Sequence, residues 1–182
     1  MRYPPAIPIT SAKPIVHDTV LDGNGLVTLD GGGTTRILSV PSSFELGTPT
    51  LTVQRLGFTR GNSAGVAGDD TDRSGGAIWL RGGNLNVINC KFTDNHAPAV
   101  GQDVAGGAIY GVGSGQVTIA ASSFTGNSAS NGGAIGILHA DLTIIDTKIK
   151  GNAATGSGGN PGEGGNGGGI YIDGVSQTVS MD

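Results

Sequence analysis

Apolar and polar residues alternate in short bursts along this chain, and the bursts recur. Four segments align without gaps over eight positions: LTVQRLGF (51–58), LNVINCKF (85–92), VTIAASSF (117–124) and LTIIDTKI (142–149). Each has an aliphatic residue first and third, and Phe or Ile eighth. Period-two alternation predicts β-strands that turn one face inward. Stacked in register, the segments predict inward columns of Leu51, Leu85, Val117 and Leu142; of Val53, Val87, Ile119 and Ile144; and of Phe58, Phe92, Phe124 and Ile149. No stretch sustains a 3.6-residue period, and glycine is too frequent for helix.

An asparagine follows each burst (Asn62, Asn95, Asn127, Asn152). A glycine pair then precedes a small residue and isoleucine: Gly75-Gly76-Ala77-Ile78, Gly106-Gly107-Ala108-Ile109, Gly132-Gly133-Ala134-Ile135 and Gly167-Gly168-Gly169-Ile170. From each pair to the next Phe or Ile is 17, 18 and 17 residues, whereas from each Asn to its own pair is 13, 11, 5 and 15. One part of the repeat is constant and the other elastic, as in a solenoid whose strands must register while one corner extrudes loops. The expected fold is all-β, a right-handed parallel β-helix with a basic coil of about 25 residues and insertions at one corner. The chain reads as a single domain, 1–182. Residues 15–47 form an irregular first coil, 50–173 four repeats and 175–182 a truncated coil, with the rod expected to continue in a longer protein.

Composition narrows the class. Glycine supplies 35 of 182 residues, well above the usual share of about 7%, but without the G-X-Y period of collagen. Charged residues are only 13%, which argues against disorder. Net charge is −4 with no basic run, so nucleic acid is not expected as a partner. No apolar stretch approaches the roughly 18 residues of a membrane span. Residues 1–14 hold four prolines and no apolar core, unlike a signal peptide. Cys90 is the single cysteine, so no internal disulfide forms.

FTDN (92–95) with GGAIYG (106–111), and FTGNSASNGGAI (124–135), resemble the repeats of polymorphic outer-membrane proteins, in which FxxN and GGA[ILV] alternate. LDGNGLVTLDGGGTTRIL (21–38) resembles the opening coil of secreted bacterial right-handed β-helix proteins of the wider pectate-lyase-like superfamily. The resemblance covers roughly residues 19–173. It implies a secreted or cell-surface bacterial protein, such as an adhesin, an autotransporter passenger or a wall-associated protein; some superfamily members cleave or bind polysaccharides. Fold likeness alone supplies no activity.

The candidate chemistry has bland and sharp readings. Asn62, Asn95, Asn127 and Asn152 form either a structural amide ladder or a polar binding surface. The glycine pairs precede strands, so the helix N-terminus of a phosphate site is missing. Cys90 aligns with Leu56, Ser122 and Thr147 and reads as a small buried residue. If Ile78, Ile109 and Ile170 point inward, Trp79, Tyr110 and Tyr171 point outward in one column, interrupted by Gly136. Such a column either stacks on sugar rings or shelters the sheet beneath the long loops. Those loops, 63–74, 96–105 and 153–166, carry Asp69, Asp70, Asp72, Asp103 and Glu163. Asp69, Asp70 and Asp72 supply the oxygen type that Ca²⁺ takes, though without the spacing of a calcium loop; otherwise they are solvated loop charge. Arg73 and His96 are the candidate catalytic side chains, Arg73 as the base of a lyase-like site. The expected function is a non-catalytic extracellular or cell-surface module, adhesin-like or structural, with no cofactor beyond a candidate Ca²⁺. The alternatives are a protein that binds or cleaves acidic polysaccharides, and an element that self-associates end to end through open terminal coils.

Overall fold

The computed structural model describes residues 6–43, 47–113, 115–158, 164–174 and 178–182. Among them there is no helix, and hence none long and apolar enough to cross a membrane. Every pairing between strands is parallel; one isolated bridge, Ser43 to Gly47, is antiparallel. The molecule is a parallel β-helix, as the repeat predicts.

Each coil contributes to two main sheets. The larger has ten described strands. Its longest members, Thr19–Asp30 and Thr50–Thr59, are continuous. In the next coils the strand splits into a pair of shorter ones: Asn84–Ile88 with Lys91–Thr93, Gln116–Ala120 with Ser123–Thr125, and Asp141–Ile145 with Lys148–Lys150. The smaller sheet stacks six described strands, Lys13–Pro14, Leu38–Val40, Ile78–Arg81, Ile109–Val112, Ile135–Leu138 and Ile170–Asp173. A two-stranded sheet of Ser128–Ala129 and Ala153–Ala154 fills the third side. The helix begins before the expected residue 15: Ala6–Pro8 pairs with Thr28–Asp30, and Lys13–Pro14 with Leu38 and Ser39. Pro8 and Pro14 thus sit on an edge strand, where a missing N–H is tolerated and further pairing is discouraged.

The predicted columns hold in register. Leu51, Leu85, Val117 and Leu142 stack, as do Val53, Val87, Ile119 and Ile144, and all are buried. The rings of Phe58, Phe92 and Phe124 lie face to face, with centroids 4.7 and 4.6 Å apart and planes within 4°. The coil spacing of about 4.8 Å imposes that overlap, and each pair adds about 0.5–1.5 kcal/mol beyond burial. Val179 and Met181 pair with Leu142 and Ile144 and so continue two inward columns, yet they are exposed. Residues 44–46 of the first coil, and 175–177 at the start of the last one, lie outside the described residues.

The corners explain the residues between strands. The first glycine of each pair has φ of 65°, 66°, 50° and 61° (Gly75, Gly106, Gly132, Gly167), the left-handed region that favours glycine. A Cβ on the second, at Gly76 or Gly107, would strike the backbone of the adjacent coil. Another corner uses non-glycine residues throughout: Arg55, Asn89, Ala121 and Asp146 have φ between 47° and 53°.

The asparagine ladder is real but one member shorter than expected. Asn95 donates through Nδ2 to Asn127 Oδ1 at 2.9 Å, and Asn127 to Asn152 Oδ1 at 2.8 Å. The same Nδ2 atoms reach Phe58 O and Phe92 O, both at 3.1 Å, and Asn152 Nδ2 reaches Phe124 O. Asn62 does not belong. The backbone N–H of Gly61 donates to Asn95 Oδ1, so Gly61 occupies the ladder position of its coil. Asn62 is bridged instead to His96, and His96 to Ser128. The extra residue before Asn62 shifts it one place along the turn, and its side chain is spent on Gly33 O and the N–H of Ala64. A shorter amide ladder, unforeseen from the repeat, lies just before the glycine pairs: Asn166 donates through N and Nδ2 to Asn131 Oδ1.

Candidate functional site

The insertions 63–74 and 96–105 do not hang free; they fold into a second layer. Loop 63–74 closes on itself through Ser63 Oγ, which donates to Arg73 O, and Ser74 Oγ, which donates to Asp70 O. It is tied to loop 96–105 by the N–H of Asp103 on Asp70 Oδ2 and the N–H of Ala105 on Ser74 Oγ. Loop 96–105 is tied onward: Ser130 Oγ donates to Gly101 O, and Asn131 Nδ2 to Gln102 O at 2.8 Å. Ala97, Val104 and Ala129 make a small apolar core between these segments. Loop 153–166 is described to residue 158 and from 164; Glu163 lies outside the described residues.

The layer covers the aromatic column. Trp79, Tyr110, Gly136 and Tyr171 are in register on the outer face of the smaller sheet, as predicted. They are not open. Trp79 is 9% exposed and Tyr110 1%; with Ala105 they form a cluster of their own, and Val112, Leu138 and half-buried Tyr171 pack against it. The indole N–H of Trp79 donates to Thr71 O, and the guanidinium carbons of Arg36 and Arg81 lie 5.5 and 5.2 Å from its ring centroid. Of the two readings of this column, the geometry matches the sheet sheltered beneath the long loops and not an open sugar-stacking face, so Trp79 and Tyr110 do not form the ligand-binding surface expected of them. Arg36, which the repeat pattern did not single out, makes this possible. It is buried and donates to Gly75 O, Ser74 O and Asp72 O, pinning the loop's end. Burial pushes its pKa down to about 10, so it stays charged at neutral pH.

The acidic residues have separate tasks. Asp69 accepts from Thr71 Oγ1 at 2.6 Å and the N–H of Asp72, closing a turn; these bonds hold its carboxyl below the usual range. Asp70 holds Asp103 N and lies 3.8 Å from Arg73. Asp72 pairs with Arg81 at 3.0 Å. Among the described residues no group of three or more His, Cys, Asp or Glu side chains is placed to share an ion. The candidate catalytic pair is also apart in its bonding: Arg73 turns to Asp70, whereas His96 Nδ1 contacts Ser128 Oγ at 2.8 Å. Desolvation, then the charges of Asp70, Asp173 and Asp69, push Asp103 up. Burial and the bond to Asp173 push Tyr171 up to about 12. Tyr110, also pushed up by burial, is the one described side chain whose buried polar atom lacks a hydrogen-bond partner. Cys90 is buried, its thiol pushed up by desolvation, with Ser122 Oγ accepting its backbone N–H.

Residues 89–112 match the Chlamydia polymorphic membrane protein (Chlamydia_PMP) repeat. This stretch runs from the Asn89 corner through Asn95 and the Gly106-Gly107 pair into the strand Ile109–Val112, and so includes loop 96–105. The likeness points to a bacterial surface or outer-membrane protein module. No curated protein and no solved structure matches the chain.

Proposed function

We propose that the chain is a non-catalytic recognition module displayed at a bacterial surface. The coils act as a rigid rod, and the layer built from loops 63–74 and 96–105, with the described residues of loop 153–166, acts as the contact face. The observation that carries this reading is the matched surface-protein repeat, within which the loop is the segment of variable length. The loops' interior favours it too: backbone groups and small side chains interlock from coil to coil, which holds an outer surface in one shape. A preorganised face binds with less loss of conformational entropy than a floppy one. The acids and Arg73 are engaged in holding that shape, which favours contact over bond-breaking chemistry.

The test is in two parts. Antibody to loop 96–105 should label intact producing cells. The purified chain immobilised on beads should adhere to a cell or matrix surface, and trimming loop 63–74 to the length of the 128–131 turn should abolish adhesion. Labelling only after the envelope is broken, or equal adhesion by the trimmed chain, would refute the proposal.

A further inference from the structure

Asn-Gly occurs three times in the chain, at Asn24-Gly25, Asn131-Gly132 and Asn166-Gly167. Glycine carries no Cβ to keep its backbone nitrogen away from the side-chain amide before it. The fold treats the three pairs differently. Asn131 is 0% exposed. Its Nδ2 donates to Gln102 O at 2.8 Å and to Val104 O at 3.2 Å, and its Oδ1 accepts from N and Nδ2 of Asn166. The N–H of Gly132 is itself spent on Asn166 O at 2.9 Å. Asn166 is exposed, but its amide is held by the bond to Asn131. Asn24 is the exception. Its backbone N–H donates to Asp22 Oδ1 at 2.8 Å, while its side chain has no hydrogen-bond partner. Asn24, Gly25 and Leu26 are all exposed and belong to a bulge. Residues 23–26 stand opposite the single residue Arg55, so no ladder pairing holds them. Asn24 and Gly25 are left-handed, at φ 50° and 72°, and a Cβ on Gly25 would meet nothing within 4 Å. A free amide, the glycine nitrogen and room to rotate thus coincide. The spot borders a groove of about 410 Å³ whose described lining includes Arg55 and Lys91 and no carboxylate.

We propose that Asn24 is a self-modification site, at which the folded chain converts its own amide into a carboxylate by way of a cyclic imide. Hydroxide from water takes the proton of the Gly25 N–H. That nitrogen forms a bond to Asn24 Cγ, and the Cγ–Nδ2 bond breaks. Nδ2 takes a proton from water and leaves as ammonia. A second water then opens the imide. Breaking the new bond to Cγ gives aspartate. Breaking the original peptide bond to the Asn24 carbonyl carbon gives isoaspartate, with the chain running through Cγ. The bulge accepts the extra backbone carbon because it has no ladder bonds to lose. The product adds one negative charge to a formal net charge of −4, on the rim of the groove and opposite in sign to Lys91. Neither the loop layer nor any partner takes part.

The experiment is incubation of the purified, folded full chain in mildly acidic and mildly alkaline buffer. Released ammonia, peptide masses and enzymatic methylation of isoaspartate are the readouts. Asp-Gly sites isomerise without a change of mass, so the mass gain of amide-to-acid exchange reports asparagine alone. The peptide holding Asn24 should gain that mass, faster in the alkaline buffer, and methylation should place isoaspartate there. Asn131 and Asn166 must first break their side-chain bonds and should react at least about tenfold more slowly. In denaturant the three should react at similar rates. Gly25→Ala, whose added methyl shields the nitrogen, should slow the reaction at Asn24. An Asn24 that stays intact while the denatured chain reacts, equal rates at all three sites in the folded chain, the folded ranking persisting in denaturant, or an undiminished rate in Gly25→Ala would overturn the proposal.

Discussion

Asn127 and Asn62 occupy equivalent places in the repeat pattern but not in space, and truncating each separates the two descriptions. Asn127 is 1% exposed. Its Oδ1 accepts from Asn95 N at 3.0 Å and Asn95 Nδ2 at 2.9 Å; its Nδ2 donates to Phe92 O at 3.1 Å and Asn152 Oδ1 at 2.8 Å. In Asn127→Ala all four bonds go. Asn95 Nδ2 keeps Phe58 O, and Asn152 Oδ1 keeps the N–H of Asn127, but Asn95 N is left buried without an acceptor. Three lost bonds at about 1 kcal/mol each, with the fourth leaving an orphaned donor at 1–3 kcal/mol, give roughly 4–6 kcal/mol. Asn62 is half-exposed and makes two local contacts, with Gly33 O and Ala64 N, that water can replace. Its truncation should cost about 1 kcal/mol or less. In urea unfolding followed by far-UV circular dichroism, Asn127→Ala should lower the midpoint by about 1 M or more, and Asn62→Ala by under about 0.5 M, at slopes near 2–3 kcal/mol per M. Equal shifts would refute the ladder of Asn95, Asn127 and Asn152 with Gly61 at its head.

The same structure carries four more expectations. Tyr110→Phe removes a buried hydroxyl that has no partner, so stability should hold or rise by up to about 1 kcal/mol; a loss larger than that in the same urea assay would mean the hydroxyl is bonded. Ala121, left-handed at φ 49° and exposed, should gain about 0.5–1 kcal/mol on change to Asn, which tolerates that region, read as a raised urea midpoint. Trp79, the single tryptophan, should emit at short wavelength and resist iodide quenching; Arg36→Ala should free loop 63–74, red-shift the emission and admit iodide, and an unchanged spectrum would contradict the covering layer. Arg60 hydrogen-bonds Asp30 and holds its carboxyl below the usual range, so the folded pKa lies under the unfolded one. The stabilisation is complete above the unfolded value and is lost as pH falls through the folded one. Asp30→Asn should therefore flatten the acid limb of a stability–pH curve and leave its neutral plateau the smaller for the missing pair.

Much of this molecule was legible before any coordinates. Alternation in the four aligned bursts determined which side chains point inward, because a strand's side-chain period is two and a buried column tolerates no slip. The constant and elastic spacings determined a stacked coil with insertions at one corner. The glycine pairs were readable as turns, and the structure adds why there are two: one glycine turns left-handed, while the next lets neighbouring backbones approach. Register at a turn was not legible, since one extra residue, as before Asn62, moves a side chain to a different column without disturbing any apolar position. Nor was the path of the loops. Sequence places Trp79, Tyr110 and Tyr171 on an outer face, but only tertiary contacts decide whether that face meets water. Here Arg36, contributed by the preceding coil, and bonds such as Asp70 to Asp103 fold the loops over it. Such contacts depend on which groups happen to meet across coils, and no local period encodes them. The three Asn-Gly pairs were visible as residues. That the amides of Asn131 and Asn166 are held while that of Asn24 is free is a property of the stack alone.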